Sequence, residues 1–269
     1  MELEKSIGFI GGGQMAEAMV SGAIDSGRFS AASVHFVEPN ESRRKYLQGQ
    51  FPNAAVSDSA KDIFEKCDKV ILAVKPHVLK SIARDLAGWV KPDHLLVSIA
   101  AGISLSNLQE WLGTRRVVRV MPNTPALVCR GMSAFAADEQ MPAEDIAWVE
   151  SLLNSIGESV RVPDSLMHAV TAVSGSGPAY MFMILEALSD GGVAMGLPRQ
   201  TAQQLATQTM LGAAALVKQT GAHPGQLKDQ VASPGGTTIA AIRELESGKL
   251  RGTIMDAVIR CAQRSQELA

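Results

Sequence analysis

Short apolar runs punctuate the first half of the chain, at 7–10, 34–37, 70–74, 95–99 and 117–120. Each is rich in β-branched residues, and each leads through turn residues into a longer mixed segment. Apolar runs without alternation are what strands buried on both faces require. Their regular recurrence between helical stretches predicts βαβ units around a parallel sheet. A last run at 159–162 closes this half. Beyond it the strand signal fades, and Ala, Leu and Met recur at helical spacing. Ala179, Phe182, Met183 and Glu186-Ala187 mark one helix, and Leu205, Met210, Leu211, Ala214 and Val217 another. Pro198 stands where a first helical turn tolerates proline. The pattern predicts two domains, 1–162 and 163–269: a doubly wound α/β sheet, then an all-helical domain. No Pro- or Ser-rich linker separates them, so tight packing is expected. The helical part carries more apolar positions than a small unit can hide. It either folds back as a cap or, as the composition favours, packs on a second copy of the chain.

Composition narrows the function classes. Hydrophobic residues make up 46% and charged ones 19%, and the formal net charge is −2. Disorder, nucleic-acid binding and a polybasic membrane anchor are therefore poor readings. Cys67, Cys129 and Cys261 are scattered and form no CxxC. This argues against a disulfide framework or zinc ribbon and for a reducing, cytoplasmic home. The five histidines form no metal-binding pair, so no metal is expected. The uncharged stretch 165–185 is long enough to span a bilayer, but Ser174-Gly175-Ser176-Gly177-Pro178 breaks it. The stretch 200–217 is too polar for lipid. The N-terminal MELEKS is acidic and unlike a secretory signal, so a soluble protein is expected.

The most informative motif is Gly11-Gly12-Gly13-Gln14-Met15-Ala16, directly after the first strand and before a helical pattern. It matches GxGxxG/A. Gly11 would make the tight turn, Gly13 would let backbone approach a pyrophosphate, and Ala16 would let the helix sit close to the sheet. Helix amides at Gln14 and Met15 would meet the phosphate charge. Glu38, at the end of the second strand, stands where a carboxylate accepts the ribose hydroxyls of NAD. Asn40, Arg43 and Arg44 follow at once, and guanidinium groups there suit a 2′-phosphate. The arginines tip the reading to NADP(H), with NAD(H) the alternative. Further strand ends, Ala73-Val74-Lys75-Pro76, Ala100-Ala101 and Pro122-Asn123, would line the rest of the cofactor crevice, because ligands of open α/β sheets bind outside the carboxyl ends of strands.

Taken together, IGFIGGGQMAEAM, VKP, SIAAGI, MPNTPALV, AVSGSGPAY and HPGQLKDQVASPGGTTI resemble the pyrroline-5-carboxylate reductase family, in order and spacing, over essentially the whole chain. The resemblance implies a Rossmann-type domain followed by a helical dimerisation domain that interlocks with a second subunit, often within rings of dimers. It implies reduction of the imine Δ1-pyrroline-5-carboxylate to L-proline by NAD(P)H. Gln14, where the family commonly has Asn, and Glu38, which is not universal there, are small departures.

Hydride addition to a cyclic C=N needs a nicotinamide, a carboxylate anchor and a proton for nitrogen. Ser233-Pro234-Gly235-Gly236-Thr237-Thr238 opens a helix whose amides, unobstructed because of the two glycines, form a natural carboxylate cradle. The resemblance implies that Ser233, Gly236, Thr237 and Thr238 share the substrate, across the dimer interface. By resemblance, Thr238 is the catalytic residue whose hydroxyl bonds the ring nitrogen; as threonine is a poor acid, it acts by positioning and relay through water. Lys75 and Asn123 match the nicotinamide side. Hydroxy-acid dehydrogenases of similar layout use a lysine early in the second domain, yet 166–217 contains none. His168 could substitute for it, but a lone histidine beside Met167 and Val170 is more often packed than catalytic. The remaining readings are a related imine reductase or hydroxy-acid dehydrogenase with another small substrate, and a non-catalytic nucleotide sensor, which would have no need of the carboxylate cradle.

Overall fold

The computed structural model of the protein describes residues 6–269. Its first part runs β1 (Ile7–Ile10), α1 (Gln14–Asp25), β2 (Val34–Val37), α2 (Glu41–Gln50), β3 (Ala55–Ser57), α3 (Ala60–Lys66), β4 (Lys69–Leu72) and α4 (Pro76–Ala87). Then come β5 (Leu95–Ser98), α5 (Leu105–Leu112), β6 (Val117–Met121), β7 (Gly131–Ala137), α6 (Ala143–Asn154) and β8 (Gly157–Arg161). The rest is helical: α7 (Met167–Val170), a π turn (Thr171–Gly175), α8 (Gly177–Ala194), α9 (Arg199–Thr220), α10 (Pro224–Val231), α11 (Thr237–Ser247) and α12 (Leu250–Glu267).

The strands form one sheet in the order β3-β2-β1-β4-β5-β6-β7-β8. Every neighbouring pair is parallel except β6–β7, which is antiparallel. Ile7 pairs with Val34 on one side and Lys69 on the other, so β1 is central. Strands β1 and β5 are buried at every position, as their unbroken apolar runs require. Alternate residues feed opposite cores. Phe9 packs with Met19, Phe36, Phe135 and Leu152 on one face, and Ile10 with Phe64, Leu72, Leu79 and Leu96 on the other. Below the sheet, Asp145 is 1% exposed and accepts Arg116 Nε at 2.6 Å and Lys69 Nζ at 3.3 Å, joining α6 to β4 and the approach to β6. Burial pushes its carboxyl pKa up, but the Arg116 hydrogen bond and the charges of Lys69 and Arg116 outweigh that and hold it below the usual carboxylate value.

Packing divides the chain into two compact units. One runs through Ser176 and includes Cys261–Ala269; the other is Gly177–Arg260. The shift in composition near 162 and this division of packing fall at different places. Met167 is fully buried against Ala134 and Ala136, and Asp164 accepts Arg119 Nη1 at 2.8 Å and the Leu105 amide at 3.1 Å. These contacts keep 163–176 on the sheet. The end of α12 joins the same unit, with Ser265 Oγ 2.9 Å from His168 Nδ1.

In the second unit α8 and α9 approach through small residues. Ser189, Ala202 and Ala206 are buried, and a Cβ on Gly192 would stand 3.1 Å from that of Ala202. Helices α10, α11 and α12 bury no residue, while Phe182, Met183, Leu211 and Met255 are each at least 60% exposed. Apolar surface of this extent marks an interface. No helix among the described residues is long and apolar enough to cross a membrane.

Candidate active site

The glycine turn has the geometry that each of its residues dictates. Gly11 adopts φ +100°, and a Cβ there would lie 2.7 Å from the Ala73 carbonyl oxygen and 2.9 Å from Val74 Cγ1. Only glycine fits. Ala16 is fully buried, so α1 sits close on the sheet. Gly13 is different: at φ −71° it is the N-cap of α1, no side chain caps the helix, and nothing lies within 4 Å of where its Cβ would point. Exposed Gln14 and half-buried Met15 begin the helix. An uncapped first turn, with the positive end of the helix dipole beside open space, suits a pyrophosphate. The residues present therefore fit a dinucleotide.

The ends of β1, β2, β4, β5 and β6 share one edge because those strands are parallel, and the order reverses between β1 and β4, the point at which such sheets bind ligands. After β4, Ala73 and Val74 pack on the glycine turn, exposed Lys75 is the N-cap of α4, and Pro76 is its first residue. After β5, the buried hydroxyl of Ser98 accepts the Ala100 amide at 3.3 Å; Ala100 is buried and Ala101 exposed. After β6, Pro122 is buried, and Asn123 accepts the Met132 amide at 2.9 Å while donating to the Ser174 carbonyl at 3.2 Å. The side chain of Asn123 is thus committed to bracing β7 and the π turn, and it acts on the site by shaping the loop. Ser98 and Ser174, which hold these loops, carry no chemical signal of their own in the sequence.

The residues after β2 are also differently engaged from the reading of their types. Asn40 caps α2, its Oδ1 accepting the Arg43 amide at 3.0 Å. Arg43 donates Nε to the Gly12 carbonyl and Nη2 to Glu17, each at 2.6 Å, and lies over the Tyr46 ring. Glu38 accepts the amides of Gly12 and Asn40, both at 3.0 Å.

The substrate-side residues lie together in the other unit, at the start of α11. Gly236 is its N-cap, again with no side-chain cap, and Gly235 turns the chain at φ +67°. The Gly236 amide reaches the Ser233 carbonyl at 3.1 Å, and a Cβ on Gly236 would collide with Ser233 Oγ. Thr237 is exposed and Thr238 half-buried. This second glycine-capped helix start offers amides to an anion as α1 does. Among the described residues no cluster of His, Cys, Asp or Glu could hold a metal ion.

The sheet order, the uncapped glycine turn and the helical second unit define a dinucleotide-binding oxidoreductase with a helical dimerisation domain. A family model for pyrroline-5-carboxylate reductase dimerisation matches residues 164–268, and one for NADP oxidoreductase, coenzyme F420-dependent, matches 6–102. The pyrroline-5-carboxylate reductase of Pisum sativum is 46% identical, covering 98% of this chain and 96% of that protein. The solved reductase of Coxiella burnetii superposes with a TM-score of 0.91 at 34% identity, covering 98% of each chain. That of Plasmodium falciparum, solved with NADP bound, gives 0.88 at 30% identity, covering 99% of this chain and 98% of that one. This chain belongs to the pyrroline-5-carboxylate reductase family.

Proposed function

We propose that the chain reduces Δ1-pyrroline-5-carboxylate to L-proline, the last step of proline biosynthesis, and that the start of α11 holds the imine. When bound, the reduced nicotinamide, NADPH or NADH, supplies hydride to the imine carbon. The observation that carries the assignment of the substrate seat is the glycine-capped start of α11, left without a side-chain cap in a chain of this family. Its exposed amides hold the substrate carboxylate, with Ser233, Gly236 and Thr237 shaping the turn around it. Thr238 Oγ holds the ring nitrogen, so that the new N–H forms by proton delivery through water. Gly11, Gly13, Gln14 and Met15 seat the pyrophosphate, and Ala73, Val74, Lys75, Pro76, Ala100, Ala101 and Pro122 line the nicotinamide side. A second copy of the chain covers the exposed apolar faces of α8–α12 as a homodimer, and such dimers can gather into a ring. Three free thiols fit a cytoplasmic enzyme.

Steady-state kinetics of Thr238→Ala test the substrate seat. Loss of one hydrogen bond to developing charge lowers kcat by about 10- to 100-fold, with KM changed less, and Thr238→Ser restores most of the rate. An unchanged kcat removes Thr238 from the mechanism.

A further inference from the structure

The cluster that closes the adenosine end of the glycine turn is more acidic than its sequence implies. Two guanidinium groups, Arg43 and Arg44, follow β2, and both are already taken. Arg43 is held by the Gly12 carbonyl and by Glu17, whose other oxygen accepts Tyr46 Oη at 2.9 Å. Arg44 Nη1 donates to the carbonyls of Glu38 and Pro39, both at 2.8 Å, and Nη2 lies 3.8 Å from Asp58. The cations thus pair with two carboxylates, Glu17 and Asp58, and neither guanidinium is bonded to the carboxylate of Glu38, whose oxygens are held by backbone amides. Glu41, in the first turn of α2, pairs with Lys45 instead.

Glu38 is the carboxylate fixed on the turn itself. Its two oxygens take the amides of Gly12 and Asn40, which anchor it between the glycine turn and the start of α2. A carboxylate oxygen has two lone pairs, so each oxygen keeps an acceptor site after these bonds. A ribose 2′,3′-diol supplies two donors and satisfies that geometry. A 2′-phosphate supplies acceptors and negative charge only. It would meet the Glu38 carboxylate as a like charge, and a guanidinium offsets it only if Arg43 abandons Glu17 or Arg44 leaves the Glu38 and Pro39 carbonyls.

We propose that Glu38 is the specificity-determining residue for the coenzyme and that it sets this chain to prefer NADH over NADPH. This reverses the preference for NADP(H) read from the arginines, because their charges in the sequence say nothing of the partners that already hold them. The proposal rests on dinucleotide binding at the glycine turn but not on the identity of the imine.

Equilibrium binding to the full-length protein, without substrate, tests it. Isothermal titration is carried out with 5′-AMP, adenosine 2′,5′-bisphosphate, NAD+ and NADP+ at fixed ionic strength. Wild type is expected to bind each 2′-hydroxyl ligand at least about tenfold more tightly than its 2′-phosphate counterpart, a gap of about 1.4 kcal/mol. Glu38→Gln keeps an acceptor for the Gly12 amide while removing the charge. It is expected to narrow or invert that ratio, chiefly by tightening the phosphorylated ligands. Equal or tighter binding of the 2′-phosphate ligands to wild type overturns the proposal, as does a ratio unmoved by Glu38→Gln. Because wild type is decisive by itself, a misfolded variant leaves the test standing. Failure of imine reduction with an intact ratio would count against the proposed function alone.

Discussion

Gly13→Ala separates the ligand-binding use of the glycine turn from its folding use. Gly13 has an ordinary φ of −71° and open space where a Cβ would project, so alanine fits without a clash. Its cost to stability is the poorer N-cap alone, about 1 kcal/mol or less. The methyl group would, however, stand in the space beside the first helical turn, where the pyrophosphate is proposed to approach. Displacing that contact weakens dinucleotide binding by about tenfold or more, equivalent to at least ~1.4 kcal/mol. Gly11→Ala is the opposite case. Alanine at φ +100° is strained, and its Cβ would press the Ala73 carbonyl at 2.7 Å, inside the link between β1 and β4. Left-handed backbone and overpacking together destabilise by about 2–5 kcal/mol. Urea unfolding at one protein concentration and titration of intrinsic fluorescence with dinucleotide measure the two effects. The expected pair is a folded Gly13→Ala that binds poorly and a Gly11→Ala that is itself destabilised. A stable Gly13→Ala with wild-type affinity would show that the open space at α1 is not where the pyrophosphate rests.

Asp145→Asn leaves Arg116 and Lys69 facing a neutral amide and is expected to destabilise by about 3 kcal/mol, measured by urea unfolding at neutral pH. Because the folded Asp145 carboxyl is depressed, its contribution is present above the unfolded value near pH ~4 and is lost as pH falls through the lower folded value. Wild type is thus expected to lose stability more steeply than the variant in that acid range; parallel curves would remove Asp145 from the acid response. Light scattering is expected to report a dimer or a multiple of it, whereas a stable monomer would leave the exposed faces of Phe182, Met183 and Leu211 unexplained.

The legibility of this fold follows side-chain size. Strands β1 and β2 are readable to the residue because Ile, Val and Phe fill both faces. The run at 70–74 overshoots β4, since Ala73 and Val74 already belong to the turn onto α4. The run at 159–162 catches β8 shifted, because Gly157 opens the strand at φ +149°, where any Cβ would collide with the Gly131 carbonyl oxygen. Strand β3 is a three-residue edge with no apolar run to see. Strand β7, Gly131-Met-Ser-Ala-Phe-Ala-Ala137, is silent for a packing reason. Ala126 presses on Gly131, where a Cβ would lie 2.9 Å away, and Met167 covers Ala134 and Ala136, so small residues replace the β-branched ones. In the site, backbone geometry is legible because glycine and proline announce it. The commitments of Asn40, Arg43 and Asn123 are not, since a polar side chain's partners depend on residues distant in the chain, such as Glu17 and Ser174.

The proposed function turns on transfer of hydride from the nicotinamide to the imine carbon on this protein. Incubation with Δ1-pyrroline-5-carboxylate and NADH or NADPH deuterated at the transferable position of nicotinamide C4, followed by mass spectrometry, tests it most directly. The expected product is proline one mass unit heavier, with the label at the ring carbon that had been double-bonded to nitrogen. Unlabelled proline, or none, would contradict it.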